Sequence, residues 1–189
     1  MSKLIGVIAE DKSDVEVLQE IAGKLAARRT FRVKFFVGKG CGKIRSKCQG
    51  WARNLNLQHC SSLVIIQDLD FHELPRLVEE IRSALRPSPI AHHIVVIPVR
   101  EIEAWLLADH DAIAQALSLR KRIAMISNPE AILRPKERLR DLVYYKSEKR
   151  KHYVNTIDNR KIAACANLRN LRRCDSFVPL EAFLRTVLR

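Results

Sequence analysis

Acidic residues recur in this chain at three points that a metal-assisted reaction would use: Glu10-Asp11 with Asp14, Asp68-Leu69-Asp70, and Glu101-Ile102-Glu103. Each group follows an apolar run, in a chain that is otherwise basic, with 34 Lys plus Arg against 21 Asp plus Glu. Carboxylates gathered on one rim repel one another unless a cation sits among them, and hard oxygen donors suit Mg²⁺ or Mn²⁺. Such an ion polarises a phosphoryl oxygen and activates a bound water, the usual route to phosphodiester cleavage. In an extended segment Asp68 and Asp70 point to one side, so both can reach the ion while Leu69 turns to the core. The expected site is a divalent-metal site built on Glu10, Asp68 and Asp70.

Those acids meet only if the elements carrying them end on one edge. Lys3 to Ala9, reading KLIGVIA, is a strand-like apolar run, and Val15, Leu18, Ile21, Ala22 and Leu25 recur at helical spacing between Ser13 and Arg28. Ser13 with Glu16 fits a capping box that starts this helix. Phe31 to Val37 reads as a second strand, followed by a loop with Gly38, Gly40 and Gly42, a helix from Ile44 to Leu57 and a third strand from Leu63 to Gln67. Leu74 to Leu85 is an amphipathic helix ended by Arg86-Pro87-Ser88-Pro89; Ile94 to Val99 is a fourth strand, and Glu101 to Leu117 a helix interrupted near Asp109 to Asp111. Continuous apolar strands alternating with amphipathic helices predict an α/β fold, a Rossmann-like, mostly parallel four-stranded sheet with helices on both faces. Ligands of such sheets bind beyond the carboxyl ends of the strands, where acids follow three of the four.

After Leu119 no strand pattern continues. Pro129 to Leu142, Asn155 to Ala166 and Val178 to Leu188 read as helices, so residues 1–119 form the α/β part and 120–189 a basic helical appendage. From Arg120 to Arg173 there are sixteen Lys and Arg against five Asp and Glu, a surplus of eleven out of the chain's +13. A nucleic acid is the natural partner, because neutralising phosphates releases counterions and drives association. Lys136, Lys146, Arg150 and Lys151, with Lys39, Lys43 and Arg45 of the glycine-bearing loop, are the candidate phosphate contacts. The competing reading is a solvated face that keeps the protein in solution.

Composition narrows the class further. With 47% hydrophobic residues and only 6 Gly and 7 Pro, the chain can bury a continuous core. No apolar stretch reaches the roughly 18 residues of a membrane span, and Met1-Ser2-Lys3 runs straight into a strand, so a soluble, cytoplasmic protein is expected. Five cysteines without a CxxC pair suit a reducing compartment rather than a disulfide scaffold or a zinc ribbon. Val37 to Lys43 resembles a phosphate loop but is one residue short of one, and Ile44 stands where Ser or Thr would be.

Each acid also has a structural reading. Glu16 and Asp14 lie in a first helical turn, Asp70 is placed to cap a helix near Phe71, and Glu101 or Glu103 to cap the next. Caps account for any one of these acids but poorly for Glu10, Asp68 and Asp70 on one rim.

The Glu after the first strand, then a DxD acid pair after the third, resembles the toprim domain of topoisomerases, bacterial primases and small nucleases. VIAEDKSDVEVL is similar to the E-G-x-[ST]-[DE] opening of toprim-like nucleases related to the overcoming-lysogenization-defect enzymes. VVIPVREIEAWLLAD resembles the I-E-x-W-L-L-A-D signature of a small toprim-like family known as DUF4276. The likeness spans Leu4 to Asp109, with a short tail match at Asp175-Ser176-Phe177. It implies that Glu10 acts as general acid/base or metal ligand, that Asp14, Asp68 and Asp70 bind metal, and that Glu103 adds a further acid; Trp105 and Leu106 fall in the core. Asp11 stands where the family usually has Gly, adding a charge beside Glu10. The resemblance further implies an Mg²⁺- or Mn²⁺-dependent nuclease paired with an ABC- or AAA-type ATPase in bacterial defence against phages. Two other functions are weighed: a non-catalytic module binding nucleic acid or a partner ATPase, and an RNA-processing enzyme resembling the small toprim maturase of ribosomal RNA.

Overall fold

The computed structural model describes residues 3–27, 29–38 and 40–189. Lys39, one of the candidate phosphate contacts, and Arg28, the expected end of the first helix, lie outside them. Strands β1 (Lys3–Ala9), β2 (Phe31–Val37), β3 (Ser62–Ile66) and β4 (His92–Val96) form one all-parallel sheet in the order β2-β1-β3-β4. The two central strands are buried on both faces, which is why they read as unbroken apolar runs. From β1 the chain steps outward to β2, then returns past β1 to β3. The order therefore reverses between β1 and β3, the place where such sheets open a crevice.

Alternating side chains of the central strands serve two cores. Ile5, Val7, Val64 and Ile66 meet Val15, Leu18 and Ile21 of α1 (Lys12–Ala26) on one face. On the other face Ile8, Leu63 and Ile65 meet Ile44 and Leu55 of α2 (Cys41–Leu57) and Leu77 and Ile81 of α3 (Leu74–Leu85). Gly6 lets α2 lie close: a Cβ there would come within 3.1 Å of the Leu55 side chain.

The rest of the chain is helical: α4 (Glu103–Leu107), α5 (His110–Ala116), α6 (Pro135–Lys146), α7 (Asn155–Cys165), α8 (Leu168–Leu171) and α9 (Val178–Val187), with 3-10 turns at Pro129–Ala131 and Asp175–Phe177. Leu139, Ile162, Leu180 and Leu184 join the cluster that holds Ile5, Val15 and Trp105, so the packing is continuous past residue 119. Helices α7 and α9 both pack against α1.

Several local expectations change. The cap of α1 is Asp11, whose carboxylate accepts from Ser13 N at 3.4 Å, while Asp14 accepts from Asp11 N at 3.0 Å. Glu16 instead pairs with Lys12 at 3.2 Å. Both frames offer the same chemistry two residues apart, and the earlier one wins. The fourth strand opens at His92, two residues before its expected start, and ends at Val96. The helix expected from Glu101 starts at Glu103, while its interruption falls as expected at Asp109, which caps α5 by accepting from Ala112 N at 3.1 Å. The helix expected from Pro129 is a short 3-10 turn there and begins in earnest at Pro135.

Candidate functional site

Beyond the carboxyl ends of β1 and β3 lies a cleft of about 280 Å³. Glu10 follows β1 and Asp68 lies just past β3, on either side of the point where the strand order reverses. Asp14 enters from the first turn of α1, Asp70 from the loop after β3, and Glu101 and Glu103 from the start of α4. Glu10, Asp14, Asp68, Asp70 and Glu103 thus line one cleft, with Asp11 and Glu101 in addition.

Two loops hold the Asp70 side of this cleft. Past the formal strand ends the backbones of the β3 and β4 extensions stay paired, with Leu69 N donating to Pro98 O at 3.0 Å and Asp70 N to Arg100 O at 2.9 Å. The Arg100 guanidinium returns a bond to Asp70 O at 2.8 Å. Asp70 and Arg100 both have left-handed backbones, at φ 47° and 65°. The DxD segment is therefore turned rather than extended, and both its acids still reach the cleft. Asp70 does not cap α3, which starts at Leu74 behind Glu73.

Three acids hold backbone or side-chain donors from distant segments. Asp68 Oδ1 accepts from Ile102 N at 2.9 Å, which caps α4 across the fold. Glu101 Oε2 accepts from Lys136 N at 2.8 Å in the first turn of α6. Glu103 is buried, and its Oε1 accepts from the Tyr153 hydroxyl and from Asn159 Nδ2, each at 3.1 Å. Carboxylates near the amino ends of helices also answer the helix dipole.

Lys136 is the one cation that lines the cleft among the described residues, with Nζ 4.0 Å from Glu103. Burial opposes its charge, but Glu103, Glu101, Asp68 and Asp14 outweigh this and raise its pKa. Burial, and then Asp70, lift Glu10 to about 7, against the pull of the Asp68 backbone, Arg45 and Lys136. Burial also lifts Asp14 to about 7, with Glu103, Asp11 and Glu10 adding to it. Asp68 is driven well above the carboxylate range by burial and by the acids around it, and Glu101 is raised by burial and Glu103. A site that holds protons this strongly is short of positive charge.

Among the described residues no three His, Cys, Asp or Glu side chains stand close enough together to hold a metal ion as they are. The donors suit Mg²⁺ or Mn²⁺ in kind, being oxygens only, but Asp14, Asp68 and Glu103 are each tied to their own hydrogen-bond partners. Asp70 carries no side-chain hydrogen bond among the described residues, so it is free to turn inward.

Apart from Lys136, none of the basic candidates among the described residues lines the cleft, although Arg45 is near enough to act on Glu10. Arg45 sits on α2 and pairs with Glu80, and Lys43 is exposed in the first turn of the same helix. Lys146, Arg150 and Lys151 line a second cavity at the far end of α6. Gly40, at φ 127°, makes the turn into α2 and lines the acidic cleft.

Tyr153 and Asn159 are the supporting residues that the sequence does not reveal. Tyr153 is buried against Glu103. Lys136 carries a faint signal, since a lysine in a first helical turn opposes the dipole and needs acids nearby.

Trp105 is fully buried, and its Nε1 donates to Ser176 Oγ at 2.8 Å. Phe177 packs edge-on against its ring at 5.5 Å. The E-A-W-L-L-A-D segment and the D-S-F segment are thus one packing unit, although Trp105 and Ser176 stand 71 positions apart. The chain matches the family described as Domain of unknown function (DUF4276) over residues 9–185. It belongs to that family. The match takes in the acids of the cleft together with Lys136, Tyr153 and Asn159, so the family's sequence pattern extends over both halves of the site. No curated protein and no solved structure matches the chain. None of the helices among the described residues is long and apolar enough to cross a membrane.

Proposed function

We propose that this chain is a toprim-type, divalent-metal-dependent nuclease that hydrolyses phosphodiester bonds in nucleic acid. What carries this reading is the gathering of Glu10, Asp14, Asp68, Asp70 and Glu103 in one cleft at the sheet's switch point, in a chain of net charge +13. Glu10, Asp14, Asp68 and Asp70 would hold Mg²⁺ or Mn²⁺, with Glu103 beside them. When bound, such an ion supplies charge neutralisation at the phosphoryl oxygen and lowers the pKa of water. Glu10, with a pKa near 7, can take and return a proton at neutral pH. Lys136 adds positive charge where a substrate phosphate would enter. A role as the effector of an ATPase-linked anti-phage system is part of the same proposal and rests on the resemblance.

A second reading has one observation in its favour. Asp68 and Glu101 cap distant helices, so they have structural work even in a binding module without catalysis. Metal dependence separates the two. Wild type and Asp68→Asn, which keeps an acceptor for Ile102 N, are incubated with labelled single- and double-stranded DNA, tRNA and structured RNA, in Mg²⁺, Mn²⁺ or EDTA. Metal-dependent cleavage by wild type alone is expected, and the responsive substrate separates a DNase from an RNA-processing enzyme. Cleavage retained by Asp68→Asn, or unaffected by EDTA, would falsify the assignment.

A further inference from the structure

A cavity of about 490 Å³, larger than the acidic cleft, lies away from the acids, between the chain leaving α5 and the turn that ends α6. Its walls are Arg120, Lys121, Lys146, Arg150 and Lys151, with Glu148 the one acid. Glu148 meets Lys121 at 3.2 Å and Arg150 at 3.6 Å, while Arg120 and Lys146 form no ion pair among the described residues. The turn is held in a costly shape. Glu148 and Lys149 are consecutive non-glycine residues with left-handed backbones, at φ 58° and 65°. They stay there because Glu148 N and Lys149 N donate back to Tyr145 O and Tyr144 O, at 3.2 and 2.8 Å. Ser147 Oγ accepts from Lys151 N at 2.9 Å, and the Lys151 ammonium donates to Leu117 O. Backbone strain of this kind persists where the surroundings over-determine it, often at ligand clamps. Here it folds Arg150 and Lys151 back over the same hollow as Lys146.

The lining of this cavity includes no aromatic or apolar side chain. It has the means to grip phosphate and none to stack a base, which fits a sugar-phosphate backbone.

Its position relative to the acids follows from α6. Lys136 lines the acidic cleft near the start of that helix and Lys146 lines the basic cavity at its end, so ten residues of helix separate them by about 15 Å. Helix α7 runs alongside both. Asn155 lines the cleft, Asp158 lines a smaller hollow one turn on, and that hollow shares Ser118 and Lys151 with the basic cavity. At the 3.4 Å rise of a stacked strand, 15 Å is about four nucleotides.

We propose that this cavity is a phosphate anchor for a polynucleotide whose scissile phosphate lies in the acidic cleft several nucleotides away. The substrate is then a strand and not a mono- or dinucleotide. The second half of this statement rests on the nuclease reading, whereas the anchor itself does not.

The test is anisotropy of fluorescein-labelled DNA and RNA strands of two and twelve nucleotides, in EDTA so that nothing is cut. Wild type is compared with the Arg120→Ala/Lys146→Ala/Arg150→Ala variant, whose fold is checked by circular dichroism and melting. The expected result is at least ~10-fold weaker binding of the 12-mer by the variant, no 12-mer-like affinity for the dinucleotide, and a salt slope shallower by about two units. Should the triple variant fail to fold, wild type alone decides, by its preference for 12-mer over dinucleotide and over tripolyphosphate as competitor. Unchanged 12-mer binding in a folded variant, or a dinucleotide bound as tightly as the 12-mer, overturns the anchor. Displacement of the strand by tripolyphosphate at matched phosphate concentration also overturns it, pointing to a free oligophosphate. Strand binding that depends on these cations without any cleavage in Mg²⁺ leaves the anchor standing and removes the nuclease reading.

Discussion

Tyr153 donates its hydroxyl to Glu103 Oε1 at 3.1 Å, joining two residues fifty positions apart. Asn159, itself bonded to Tyr153, donates to the same oxygen at 3.1 Å, so a residue of α7 and one just before it orient an acid that begins α4. The acidic cleft is therefore a product of both parts of the molecule.

Tyr153→Phe keeps the ring and removes the donor. With a buried acceptor short of one partner, stability should fall by about 1–3 kcal/mol. For a chain of this size that is a drop of roughly 2–10 °C in Tm, read by differential scanning calorimetry. A melt that overlays wild type would show that the hydroxyl bond contributes nothing.

Glu10 and Asp14 make metal-free stability depend on pH in a stated direction. Their folded pKa values of about 7 lie above the 4.5 and 3.8 of unfolded chains, so between about pH 4 and 7 the native state binds more protons than the unfolded one. Stability contributed by these groups is thus greatest below pH 4 and is lost as pH rises through 7, by on the order of 3–4 kcal/mol for each group taken alone. Urea unfolding in EDTA at pH 5 and pH 8 reads the loss, and Asp14→Asn should flatten it. An equal pH dependence in wild type and Asp14→Asn would contradict the assignment.

Mg²⁺ or Mn²⁺ should reverse that loss, because the ion binds the deprotonated acids. At a hundred times its dissociation constant, a ligand of the native state adds about 2.7 kcal/mol. The expected rise in Tm at pH 7.5 is several degrees for wild type, and much less for Asp68→Asn. Equal shifts in both proteins would place the ion elsewhere.

Lys136→Met removes the positive charge facing Glu101, Glu103, Asp68 and Asp14. At pH 8 these acids are left without it, and a loss of about 1–3 kcal/mol is expected, since the lysine is half-exposed and solvent screens part of the effect. At pH 5, where Asp14 holds its proton, the difference from wild type should shrink. Chemical denaturation at the two pH values checks this, and a loss independent of pH would mean that Lys136 acts through packing alone.

The sheet and the acidic rim are legible in the sequence because their causes are local. KLIGVIA and SLVII are unbroken apolar runs because both faces of a central parallel strand are covered; Glu10 follows the first directly and Asp68 follows the second after Gln67. That logic is enough to put several acids beyond one sheet edge, and to mark 120–173 as the basic part of the chain. Choices between near-equal local options were left to tertiary structure. Asp11 and Ser13 can each cap a helix, and the frame that places Asp14 in the cleft is the one adopted. The caps that Asp68 and Glu101 provide to helices more than thirty residues away have no local signature, because a hydrogen bond between distant segments is decided by how the helices dock. The same holds for Tyr153 and Asn159 around Glu103, and for Lys136, which reads as one basic residue among many until α6 brings it to the acids. Periodicity and strand-end chemistry are properties of neighbours in sequence, whereas the proton affinities of the cleft and the approach of Lys136 to it are properties of neighbours in space.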